Sequence, residues 1–251
     1  MPEVFRKRQP GPLSATEAAG LRWLAAAGGV AVCPVLDVGP EHLVLERVVE
    51  VGATPAAAER FGRDLQRTHA AGAERFGAGP PGVGRAWIAT LDLPLSDAPV
   101  AWGEFYAELR LRPYVRAARD AGLLSGDDAQ VLDAVCARLA DGAVPGADAT
   151  PARLHGDLWS GNVLWSADGA VVIDPAAHGG HPETDLAMLA LFGLPHLERV
   201  LDAYAEAAAL APGWRRRVPL HQLHPLLVHT VLFGGGYAGQ AVRAARETLA
   251  L

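Results

Sequence analysis

The stretch Leu154-His-Gly-Asp157-Leu-Trp-Ser-Gly-Asn162-Val-Leu-Trp165, continued by Asp168-Gly169 and Ala170-Val-Val-Ile173-Asp174-Pro175, decides how this chain is read. Gly156 and Gly161 allow tight backbone turns, so the segment around Asp157 reads as a loop. Residues 163–165 and 170–173 are short apolar runs of strand character, and Asp168-Gly169 between them is a hairpin turn signal. Folding back on that turn, the second strand delivers Asp174 to the loop that carries Asp157 and Asn162. Two carboxylates and an amide then converge at one sheet edge. A carboxylate and an amide oxygen, completed by phosphate oxygens, suit Mg²⁺ rather than zinc. Three separate structural roles, for a turn Asp, a loop-capping Asn and a strand-end Asp, would leave their joint spacing unexplained.

Working outward, residues 4–8 read as a strand that Pro10-Gly11-Pro12 closes. Ser14-Ala-Thr-Glu17 has the form of a capping box, predicting a helix over 14–27 that Gly28-Gly29 ends. Residues 30–36 and 42–49 add β character around the Gly39-Pro40 turn. From there apolar residues fall at helical spacing over 56–71, 102–121 and 127–139, with a Gly/Pro-rich stretch over 77–84. The chain reads as helices again from Glu183 to its end, with a break at 211–213. The expected architecture is α+β. A small β-rich lobe over 1–49 and a large helical lobe over 50–251 hold a cleft between them.

Half of the 251 residues are apolar, a fifth are charged, and the formal net charge is -6. The one basic cluster, Arg215-Arg-Arg217, is short and reads as a solvated face, so nucleic acid is not an expected partner. No apolar run is long enough to span a bilayer and the N-terminus has no apolar signal core, so no membrane association is expected. Cys33 and Cys136 lie far apart without a CxxC partner, which argues for a reducing, cytoplasmic setting. Oligomeric state leaves no mark in the sequence.

Several residues near the decisive stretch invite a role on their own chemistry. Trp159, two residues after Asp157, can form a wall for a sugar ring. His178 and His181 sit at no helix-based zinc spacing and are candidates to line an acceptor pocket. His155 is expected to orient the loop through a backbone bond. Asp185 opens an apolar helix and can brace the loop by bonding its backbone. His69, on a helix, is expected in the core or at a cleft edge.

The order Asp157, Asn162 five residues later, and Asp174 at a hairpin end resembles the catalytic layout of protein kinases and their relatives. Here H-G-D stands in place of H-R-D and I-D-P in place of D-F-G, which points to kinases of small molecules. The longer strings narrow this further. His155-Gly-Asp-Leu-Trp159-Ser-Gly-Asn162, Ile173-Asp-Pro-Ala176, Gly180-His181-x-Glu183-x-Asp185-Leu-Ala-Met188 and Leu232-Phe-Gly-Gly-Gly-Tyr237 are similar to the fructosamine (ketosamine-3) kinase family. The resemblance runs from about Val4 to the C-terminus.

That resemblance implies a protein-kinase-like, two-lobed fold using ATP and Mg²⁺ to phosphorylate a sugar hydroxyl of a ketosamine, meaning a glycated amine or lysine. It makes Asp157 the catalytic base, with Asn162 and Asp174 holding Mg²⁺. Lys7 becomes the strand lysine at the ATP phosphates and Glu17 its helix partner. Glu46, Arg47 and Val48 become the hinge that receives adenine, and Trp159 a substrate contact. It also implies a β-hairpin and phosphate-covering loop ahead of Lys7; the β-rich lobe reads as lacking this first hairpin. Two other readings share the frame: an aminoglycoside- or amino-alcohol-type phosphotransferase, and a non-catalytic nucleotide-binding protein.

Overall fold

A computed structural model describes residues 3–208 and 210–251; Met1, Pro2 and Ala209 lie outside the description. Strand β1 (Val4–Arg8) leads into helix α1 (Gly11–Ala25), followed by β2 (Ala31–Val32), β3 (Val35–Gly39) and β4 (His42–Glu46). The first sheet has the order β1-β4-β3, antiparallel throughout, with Lys7 opposite Leu43. Helix α1 starts a turn earlier than the capping-box reading. Pro12 occupies its first turn, where a missing N–H costs nothing, and Ser14 lies inside the helix with its hydroxyl donating to Gln9 O. Leu21, Leu43 and Leu45 close a small core between α1 and this sheet.

The larger part begins with α2 (Pro55–Ala70), capped by Thr54, whose hydroxyl accepts from the Ala57 amide. A short hairpin follows, β5 (Ala86–Ile88) and β6 (Leu91–Leu93), where only a Gly/Pro-rich stretch was expected nearby. Its turn carries Ala89 at φ 51, a residue type that signals no turn. The long helix expected over 102–121 is continuous but uneven: α3 (Trp102–Phe105), a wide π-helical turn over Tyr106–Leu111, then α4 (Arg112–Asp120). Pro113 has no N–H to offer Leu109 O, which accepts instead from Arg110 Nη1.

Helix α5 (Gly126–Ala140) is capped by Ser125. Strand β7 (Ala152–Leu154) then enters the decisive stretch, with β8 (Val163–Ser166) and β9 (Gly169–Val172) forming the predicted hairpin. Strand β10 (His178–Gly180) pairs back on β7. Helices α6 (Glu183–Phe192), α7 (Leu197–Ala207), α8 (Val218–Phe233) and α9 (Tyr237–Leu249) complete the chain. Their apolar faces close one core with α3, α4 and α5 and another with α2 and the β8–β9 hairpin.

The two parts share a sheet. β2 runs parallel to β9, with Ala31 opposite Val171 and Val32 opposite Val172, giving the order β2-β9-β8. Val171 and Ile173 in turn pack on the small core. The expected division at residue 49 falls three residues past the end of β4, in the stretch leading to α2, and does not separate the sheets.

Candidate active site

Gly156 sits at φ 82, and a side-chain carbon there would meet Ala176 O at 2.2 Å. Only glycine lets the loop pass so close to the segment that follows Asp174. Asp185, buried at the start of α6, holds that loop from below: its carboxylate accepts the amides of His155 at 2.8 Å and Gly156 at 3.0 Å. His155 ties the loop to the hairpin, its Nε2–H donating to Ile173 O at 2.8 Å while Nδ1 accepts the Asp157 amide. A second histidine stands behind. His69 donates from Nε2 to Asp185 at 3.1 Å and accepts the Tyr204 hydroxyl on Nδ1 at 2.8 Å. His69 is fully in the core, and sequence alone carried no signal that it would reach Asp185.

Asn162 closes the loop on itself. Its Nδ2 donates to Asp157 O at 2.8 Å and more weakly to the Asp157 carboxylate at 3.3 Å, while its own carbonyl accepts the Ile173 amide. Asp174 follows β9 at φ 54, an uncommon conformation for a non-glycine residue and a mark of a constrained site. Lys7 Nζ lies 2.9 Å from Asp174 Oδ1 and 2.9 Å from Glu17. Gln9 donates to the same Glu17 carboxylate at 3.0 Å. These residues line one cleft of about 290 Å³, together with Trp159, Trp87, Ala89 and Pro175.

Electrostatics follow from this packing. Burial pushes the Asp157 carboxyl up to about 6, only partly offset by the Asn162 hydrogen bond. Burial alone would pull the Lys7 ammonium down, but Asp174 and Glu17 together hold it above its ordinary value. Asn162 Oδ1 and Asp174 Oδ2 accept no hydrogen bond among the described residues. Two hard oxygens free on one cleft wall are a donor set that fits Mg²⁺.

The structure brings Asp157, Asn162, Asp174, Lys7, Glu17 and Trp159 to this one cleft, with His155 and Asp185 supporting it. Glu46, Arg47 and Val48 do not line it. The amide of Glu46 already donates to Pro34 O and that of Arg47 to Glu3 O. His178 and His181 correct the sequence reading. Both are buried, and neither reaches the cleft. His178 donates from Nδ1 to Ala176 O and accepts Arg110 Nε at 3.4 Å. His181 donates to Gly146 O and accepts the Glu183 amide. Desolvation takes both imidazoles down to about 3, so they are neutral packing groups. His181, Glu183 and His221 lie close enough to suggest an ion, but Arg217 already occupies the Glu183 carboxylate at 2.9 Å. Trp87 was missed from sequence because nothing marked the β5–β6 turn that presents it.

Comparison with known proteins agrees with this geometry. The fructosamine kinase family profile matches residues 6–251. The chain belongs to the fructosamine kinase family. A Synechocystis protein assigned as a ketoamine kinase is 32% identical over 244 residues, 93% of this chain and 77% of its own length. Mouse ketosamine-3-kinase is 34% identical over 156 residues, 61% of this chain and 48% of its own. For most of the curated relatives the match spans about half of their length or less. A Thermobifida fusca structure assigned as a fructosamine-3-kinase superposes with TM-score 0.93 at 49% identity, covering all of this chain and 86% of that one. A choline/ethanolamine kinase family protein from Mesorhizobium loti shares the fold alone, at 17% identity and TM-score 0.59 over 98% of this chain and 82% of that one. The fold of this fructosamine kinase family member is thus the kinase-like, two-lobed one.

Proposed function

We propose that this chain is an ATP-dependent ketosamine kinase, transferring the γ-phosphoryl group to a sugar hydroxyl of a fructosamine or ribulosamine. The observation that carries the reading is the convergence of Asp157, Asn162 and Asp174 on one cleft beside a lysine ammonium. Phosphoryl transfer of this kind passes through a loose transition state and asks the protein for positioning and charge neutralisation more than for strong base catalysis. Asp157 orients the acceptor hydroxyl and takes its proton as the new P–O bond forms. Its raised pKa makes it a better proton acceptor near neutrality than an exposed aspartate. Lys7, fixed by Glu17, moves from Asp174 to the nucleotide phosphates. Asn162 and Asp174 would hold Mg²⁺, which would supply positive charge against the developing charge on the phosphates. Val48, whose main-chain groups make no hydrogen bond among the described residues, is the hinge position we assign to adenine.

The setting fits. No described helix is long and apolar enough to cross a membrane. Cys33 and Cys136 are free and separately buried, which supports a reducing, cytoplasmic location. The test is an acceptor panel read by ADP release: fructosyl-lysine and ribulosyl-lysine against an aminoglycoside and choline. Turnover confined to the ketosamines is expected. Turnover of the aminoglycoside or choline alone would overturn the substrate assignment, and Mg·ATP binding without turnover on any acceptor would overturn the kinase reading.

A further inference from the structure

A ketosamine has two halves, a sugar that must bring a hydroxyl to Asp157 and an amine substituent that must lead away from it. The cleft offers a continuation for the second half. Trp159, 39% exposed, meets Phe192 edge-on with ring centroids 6.0 Å apart. Phe192 meets His229 at 5.0 Å, and His229 meets both Phe233 at 5.4 Å and Tyr237 at 5.1 Å. These five rings come from the catalytic loop, the end of α6, the end of α8 and the start of α9, where the Gly234-Gly-Gly236 turn sets Phe233 beside Tyr237. Phe192 and Phe233 are 36% and 67% exposed, an unusual outlay of apolar surface so near a polar cleft. The strip touches the chemistry a second time, because a narrow crevice is lined by both Asp157 and His229.

We propose that the strip Trp159–Phe192–His229–Phe233–Tyr237 is the subsite for the amine-side substituent of the acceptor, selecting ketosamines whose amine carries an aryl or long alkyl group. The proposal rests on the ketosamine kinase reading above. Indole and phenyl faces attract the secondary ammonium that joins sugar to substituent, and apolar rings cover the methylenes or aryl ring beyond it. Burial holds the His229 imidazole below its ordinary pKa, so it stays neutral and does not repel that ammonium. Continuity with the Asp157 cleft favours this occupant over a separate protein partner.

The test compares Phe233→Ala and Phe192→Ala with wild type on two acceptors, the benzylamine and the methylamine ketosamines of fructose. Phe233 is exposed enough that its truncation should leave the fold intact. KM for the benzylamine acceptor should rise about three- to tenfold, with kcat, the KM for ATP and the KM for the methylamine acceptor unchanged. An equal shift for both acceptors, or none, overturns the subsite and leaves phosphotransfer standing. If wild type phosphorylates neither, the kinase reading falls, and tryptophan-fluorescence titration with the benzylamine ketosamine decides the strip separately. Binding that Phe233→Ala weakens supports it; no binding, or binding that is indifferent to the substitution, overturns it.

Discussion

At the scale of single residues, Asp157 carries both the proposed chemistry and a cost to the fold. Its carboxyl is held at about 6 against an ordinary 3.8, chiefly by desolvation. For a base, the ionised form is the working one, so kcat/KM should fall about tenfold per pH unit below about 6 and level off above about 7. A pH–rate profile checks this; a break near 4 would mean the site does not raise the carboxyl. The same shift has the opposite sign for stability. The folded state binds this proton more tightly than the unfolded chain does, so the contribution is full below about 4 and is lost as pH rises through about 6. Asp157→Asn should therefore lower kcat by about 10²–10⁴-fold while raising neutral-pH stability by about 1–2 kcal/mol, a value below the full shift because the side chain is not fully enclosed. Thermal melts at pH 8 and pH 4 test the second half; the gain should vanish at the lower pH.

Residues also mark the boundary of what sequence alone reveals. Asp157, Asn162 and Asp174 were legible because a glycine-bearing loop and an Asp-Gly turn leave few ways to arrange them. Lys7 and Glu17 needed the family resemblance, since the same Glu17 also fits a capping box that Pro12 pre-empts by starting the helix sooner. His178 and His181 went astray because the direction a loop histidine faces is set by tertiary packing, here around Arg110 and Glu183, and leaves no periodic trace.

At the scale of elements, α6 is the beam on which the catalytic loop rests. Asp185 in its first turn binds the loop amides, and Glu183 two residues earlier is locked by Arg217 in a pair only 3% and 4% exposed. The Glu183 carboxyl, which burial would raise, is instead held down at about 2 by His221 and Arg217. Breaking a buried pair leaves a lone charge, so Arg217→Ala should cost about 3–5 kcal/mol in denaturant unfolding. Arg215→Ala, which removes exposed pairs with Glu198 and Asp202, should cost less than about 1 kcal/mol. Equal losses would mean the burial of Arg217 has no energetic weight. Gly156→Ala should be worse for activity than for folding, since the strain falls on the loop and not on a core. The helices were readable from apolar periodicity, whereas the β5–β6 hairpin was not, because Ala89 turns the chain without a glycine or asparagine.

At the scale of the whole molecule, ligand binding has to rearrange charge across both parts. Lys7 bridges Glu17 on α1 and Asp174 after β9. Mg·ATP should raise the melting temperature, by the equivalent of about 2.7 kcal/mol at a hundredfold excess over Kd, and EDTA should remove most of that gain. Asp174→Asn should forfeit it with either addition, as differential scanning fluorimetry will read. A gain from ATP alone as large as from Mg·ATP would count against the metal assignment to Asn162 and Asp174. The two-lobed plan was readable from the change of texture after residue 50, but the joint between lobes was not, because a two-residue strand such as β2 is too short to show a pattern.

That joint constrains motion. Because Ala31 and Val32 are laced into the same sheet as the hairpin that ends in Asp174, the segment after α1 and the carboxylate travel as one piece. The outer strands β1, β3 and β4 form a separate sheet, so Lys7 on β1 meets that piece across a seam of side chains, its ion pair with Asp174 and the small apolar core, rather than through a strand ladder.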